Sequence, residues 1–141
     1  MTPNQIDLVR SSFARVAPAA TQVATLFYGQ LFERDPQLRR LFRGDMTEQG
    51  GKLMQVLAAA VAGLDRLGEL APVLRDLGRR HAGYGVTDAH YDTVARALLW
   101  TLERGLGADF TPEVREAWRV AYAALAQTMR EGAAASLPLA A

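Results

Sequence analysis

The sequence predicts an all-α protein of one domain, and three observations predict it. Good helix formers, above all alanine, leucine, arginine, glutamate and glutamine, dominate the chain. Segments with period-2 alternation are missing. Helix start and stop signals follow one another along the whole length. At 141 residues, 50% of them hydrophobic and 22% charged, the chain suits a single folded core.

Each element has its own signal. Thr2-Pro3-Asn4-Gln5 reads as a helix start, with Thr2 as N-cap and Gln5 completing a capping box. This helix carries Ile6, Val9, Phe13 and Val16 inward and stops near Pro18. A second, from about Thr21 to Arg34, holds Val23, Leu26, Phe27, Gln30 and Leu31 in its pattern. Asp35-Pro36 opens a short third helix through Leu38, Leu41 and Phe42. Asp45 and Glu48 have capping-box spacing before the next helix, whose stripe is Leu53, Leu57, Ala60, Val61 and Leu64. Leu70, Leu74 and Leu77 mark one side of the following helix, broken by Gly83 and Gly85. Thr87 or Asp88 caps a long helix with Tyr91, Val94, Leu98 and Leu102, ended by Gly105-Leu106-Gly107. Thr111-Pro112-Glu113 starts the last, patterned by Val114, Trp118, Tyr122, Leu125 and Met129. The expectation is seven or eight helices in one domain over 1–131, with a frayed tail over 132–141.

Bulk chemistry excludes several classes. The formal net charge is +1, with opposite charges interspersed, which gives no nucleic-acid footprint. The absence of cysteine rules out disulfides, thiolate zinc sites and cysteine nucleophiles. The N-terminus has no basic region leading into an apolar stretch, so no signal peptide is read. The longest apolar run, Val56 to Leu64, falls short of the ~20 residues that span a bilayer. A cytoplasmic protein without a membrane span is expected.

The chain has two histidines. His81 follows Leu77, Leu74 and Leu70 at i+4, i+7 and i+11, so it shares their apolar face. An imidazole there is either a hydrogen-bonded core residue or a metal ligand. His90 starts the next helix, where a surface or capping role fits better than ligation. Gln49, four residues before Leu53, sits at the N-terminal end of an inward stripe. Tyr28 adjoins Phe27 in a strongly apolar helix, and Phe42 and Val86 read as core residues.

Taken together these positions carry a resemblance. The order and spacing of Tyr28, Pro36, Phe42, Gln49, Lys52, Leu53, His81, Val86 and Tyr91 resemble those of single-domain bacterial globins and the globin domain of flavohaemoglobins. The stretches 77–81, 102–107 and 110–112 also resemble neuroglobin, and the likeness runs from the first helix to about Met129. It implies a 3-over-3 globin fold enclosing one haem b (iron protoporphyrin IX), with His81 as the proximal iron ligand. Phe42, Leu77 and Val86 would pack on the haem. Tyr28 and Gln49 would line the distal side, with Leu53 beside the ligand. Lys52, Arg79 and Arg80 are candidates for the propionates, each equally readable as a solvated cation.

The implied function is reversible O2 binding, with NO and CO as further ligands. Donors on Tyr28 and Gln49 aimed at the negative charge that dioxygen acquires are worth about 1–3 kcal/mol each. The alternatives are nitric oxide dioxygenation driven by a separate electron-donor reductase, and a gas or redox sensor. A monomer or weak dimer is expected. Two departures stand out. Gln49 replaces the distal histidine that closes neuroglobin. Tyr91 matches the proximal tyrosine of flavohaemoglobins, but the position of their proximal glutamate is Ala133, with Glu131 two residues earlier. Gly50 and Gly51 weaken their turn by about 1 kcal/mol each, which would let Gln49 swing aside for an entering ligand.

Overall fold

A computed structural model describes residues 1–136. Six α-helices carry the fold: α1 (Pro3–Val16), α2 (Ala20–Arg34), α3 (Met46–Ala62), α4 (Leu67–Gly83), α5 (Asp88–Leu106) and α6 (Pro112–Ser136). Short 3-10 segments lie at Ala17–Ala19, Pro36–Leu41, Leu64–Arg66 and Gly107–Asp109, and no strand occurs among the described residues. The count differs from the expected seven or eight because the third predicted helix is 3-10. Pro36–Leu41 has only six residues between the extended Asp35 and the extended Phe42, too short to repay α-helix nucleation.

The local signals divide into those that form and one that does not. Thr2 Oγ1 accepts the Gln5 N–H at 3.1 Å and Gln5 Oε1 accepts the Thr2 N–H at 3.0 Å, a complete capping box. Asp45 caps α3 differently. Its carboxylate accepts from the Thr47 N–H at 2.8 Å, two residues on, so the box with Glu48 is not made.

The core draws on α1, α2, α3, α5 and α6, with Val9, Leu31, Leu102 and Trp118 almost wholly enclosed. The one polar atom of the Trp118 ring is satisfied, since its N–H donates to Ser12 Oγ at 2.8 Å and ties α6 to α1. Helices α2 and α3 cross at Ala24 and Gly50, where a Cβ on the glycine would lie 2.9 Å from Ala24 Cβ. Gly50 is therefore a packing glycine. Gly51 meets nothing, so only it is free to loosen the start of α3.

Helix α4 is held from one side. It rests on α6 and on the Leu64–Arg66 turn, and it shares no extensive contact with α3. Two buried glycines set this seam. A Cβ on Gly78 would collide with the Met129 backbone, and one on Gly132 with the Arg75 backbone. Helix α6 thus continues through Gly132 to Ser136, where the sequence reading began a frayed tail. Gly132 permits a close crossing within an alanine-rich, helix-favouring segment. Residues 137–141 lie outside the described residues. No described helix is long and apolar enough to cross a membrane.

Candidate functional site

The end of α4 is built around His81. Gly85, at φ +102°, terminates the helix in a left-handed conformation open to glycine. The Val86 N–H then reaches the His81 carbonyl at 3.1 Å and the Gly85 N–H the Ala82 carbonyl at 3.1 Å, the bond pair of a Schellman cap. This fixes Val86 against the backbone of His81. A Cβ on Gly85 would also come within 3.3 Å of Leu41 Cδ2, so the same turn approaches the end of the Pro36–Leu41 segment.

His81 itself is half-buried. Its Nδ1 lies 2.7 Å from the Leu77 carbonyl. A carbonyl only accepts, so Nδ1 carries the proton and Nε2 keeps a lone pair. Burial holds the imidazole pKa below its ordinary 6.5, and the positive charge of Arg80 acts in the same direction, against the opposing pull of the Leu77 hydrogen bond. A neutral imidazole with Nε2 as a free donor results. Leu77 and Val86 are likewise half-buried.

An aromatic group closes around Tyr28 of α2. Its ring stacks on Phe32 at 5.9 Å and meets Phe42 edge-on at 5.2 Å, and Phe32 meets Phe42 at 5.4 Å. The Tyr28 hydroxyl donates to the Gln49 backbone carbonyl at 3.4 Å, longer than a good O–H···O bond, so its proton is only loosely engaged. Burial pushes the phenol pKa from 10.0 up to about 12, and the group stays protonated. Leu53 and Leu57 of α3 and Val94 of α5 are half-buried against the core.

The remaining sequence candidates are placed as follows. The Gln49 amide donates to the Arg43 carbonyl at 3.4 Å, so its main chain and not its amide meets Tyr28. Lys52 is exposed. Arg79 and Arg80 are exposed and share Asp76, Arg80 at 3.2 Å. His90 Nδ1 accepts the Thr87 N–H at 2.9 Å, a capping role that consumes its lone pair. Tyr91 is buried, and its hydroxyl has no hydrogen-bond partner among the described residues. Glu131 pairs with Arg75 at 3.6 Å.

Three features escaped the sequence reading. Phe32 follows Tyr28 at i+4 and so shares its face, a signal that was present. Leu41 approaches the α4–α5 turn, which no local spacing announces. Arg130 lies 4.9 Å over the Tyr91 ring and is held by Asp88 and Asp92, a contact made only by folding.

The donor set fits a haem. No three His, Cys, Asp or Glu side chains gather to hold a metal ion among the described residues. One neutral imidazole with a free Nε2 suits a metal whose other ligands come from a macrocycle, and the half-buried apolar side chains Leu53, Leu77 and Val86 suit that macrocycle's apolar body.

Comparison with known proteins points the same way. The chain is 33% identical over 134 residues to a flavohemoprotein of Xylella fastidiosa, a match covering 92% of this chain and 33% of that relative's length. It thus spans about a third of that protein. It is 30% identical to the neuroglobin of Tetraodon nigroviridis, across 89% of this chain and 88% of the relative. The structure superposes on that of a hexacoordinated heme protein from an anhydrobiotic tardigrade with a TM-score of 0.85, covering 95% of this chain and 96% of the other. At 16% identity that likeness speaks to the fold, which is the globin fold. The family model for globins matches residues 25–129, and the chain belongs to the globin family.

Proposed function

We propose that this globin binds haem b between α3 and α4 through His81 Nε2 and reversibly holds a diatomic gas, O2 above all, on the Tyr28 side. The observation that carries the reading is the bond from His81 Nδ1 to the Leu77 carbonyl at 2.7 Å, which directs the lone pair of a neutral ring away from its own helix. When bound, the haem supplies a ferrous iron that takes O2, NO or CO. With no cysteine in the chain, thioether attachment is unavailable and the haem is held without a covalent link.

Around it, the chain's own residues have separate tasks. Leu77 and the Schellman turn orient His81 and bring Val86 beside it. Phe42 and Leu53 exclude water, which strengthens any hydrogen bond made inside. Tyr28 keeps its proton to about pH 12 and offers it to a partly negative ligand, favouring O2 over CO. Gln49 contributes its main-chain carbonyl, which keeps the phenol in position. A separate reductase would return the iron to the ferrous state after oxidation. Absorption spectra of the ferric, ferrous and O2-exposed ferrous protein test the proposal. A stable oxy spectrum is expected, and immediate conversion to the ferric form contradicts it.

A further inference from the structure

A surface cleft of about 300 Å³ between α2 and α5, lined by Arg34, Asp92, Thr93 and Arg96, takes no part in the proposed gas site. Tyr91 and Leu98 of α5 are buried in the core, whereas Asp92 and Arg96 are exposed on the other side of that helix. Most arginines of the fold are ion-paired or stacked on a ring, but Arg34 and Arg96 have no carboxylate partner among the described residues. Asp92, the one acid of the cleft, points its carboxylate to Arg130 at 3.5 Å. Arg34 is oriented by a neutral group. The Gln30 amide oxygen, in the orientation that satisfies both side chains, accepts from its Nε at 2.8 Å and its Nη2 at 3.2 Å. That bond positions the guanidinium without cancelling its charge.

We infer that this cleft is a binding site for a phosphate-bearing anion, gripped between Arg34 of α2 and Arg96 of α5. Each guanidinium offers a planar fork of donors. A single carboxylate satisfies one fork, whereas a phosphate has oxygens for two, and the cleft has room for a diphosphate. The Thr93 hydroxyl also lines the cleft, with its proton given to the Ala89 carbonyl at 3.3 Å. An anion bridging two helices stabilises the fold by an amount that grows with the logarithm of its concentration over its Kd.

Isothermal titration of the full chain with pyrophosphate and with inorganic phosphate, at ionic strength matched by chloride, tests this. One saturable site is expected, with pyrophosphate the tighter ligand and a Tm that keeps rising with the logarithm of ligand concentration above Kd. Arg34→Ala and Arg96→Ala should each weaken binding about tenfold, the loss of one charge-assisted contact. Arg115→Ala, an exposed change on α6, should leave it unaltered. All three positions are exposed, so the variants fold, which far-ultraviolet circular dichroism checks. Heat no greater than that of chloride, or affinity unchanged in both cleft variants, overturns the inference.

Discussion

His81 and His90 hold their rings in opposite tautomers. Nδ1 of His81 donates to the Leu77 carbonyl at 2.7 Å, whereas Nδ1 of His90 accepts the Thr87 N–H at 2.9 Å. The difference decides which histidine can ligate at Nε2. In His81 that atom has a lone pair; in His90 it carries the proton. Nitrogen-15 spectra of the haem-free protein at mildly alkaline pH should therefore show one Nδ1–H and one Nε2–H imidazole. The Nδ1–H signal should vanish in a His81 variant. Two Nε2–H rings would contradict the assignment.

Tyr28 gives a prediction at alkaline pH. Its folded pKa lies near 12 against an ordinary 10.0, so the fold favours the protonated phenol. The resulting stability is fully present below pH 10 and is lost as the pH rises through 12. Tyr28→Phe cannot titrate, so denaturant unfolding of this variant should fall less steeply than that of the native chain across the same window. In the haem-loaded protein the same substitution should speed O2 dissociation about tenfold and CO dissociation far less. Equal effects on both gases would remove Tyr28 from its donor role.

The α4–α6 seam predicts opposite outcomes for glycines that look alike in sequence. Gly78→Ala and Gly132→Ala drive a methyl into the backbone of the facing helix and should each cost about 1–3 kcal/mol of unfolding free energy. Gly29, mid-helix in α2 with nothing within 4 Å, should gain about 1 kcal/mol on change to alanine. Urea titrations compare the three. Because α4 rests chiefly on this seam, the first two variants should also lose haem faster than Gly29→Ala does.

Signals confined to a few neighbouring residues were legible. Thr2 and Gln5 satisfy each other within one turn, and Leu70, Leu74, Leu77 and His81 declare their shared face by spacing alone. The Tyr28–Phe42 contact was not anticipated, since the two lie on different elements and no local spacing relates them. Where two local solutions compete, spacing did not choose. Asp45 closes on Thr47 because a carboxylate two residues from an N–H reaches it through a tighter turn than the box with Glu48 requires. The tail expected to fray from Gly132 is helical to Ser136, and that glycine's value lies in the Arg75 backbone it approaches, which no window around it contains. The same holds for Arg130 over Tyr91, a cation from α6 that no window around the tyrosine contains.

Haem titration of His81→Gly, with and without added imidazole, bears most directly on the whole account. Haem affinity and the ferrous spectrum should both be lost, and free imidazole should restore the spectrum by filling the space left beside Leu77 and Val86. His90→Ala should behave as the native chain. Native haem retention and an unchanged ferrous spectrum in His81→Gly, without imidazole, would contradict ligation by His81.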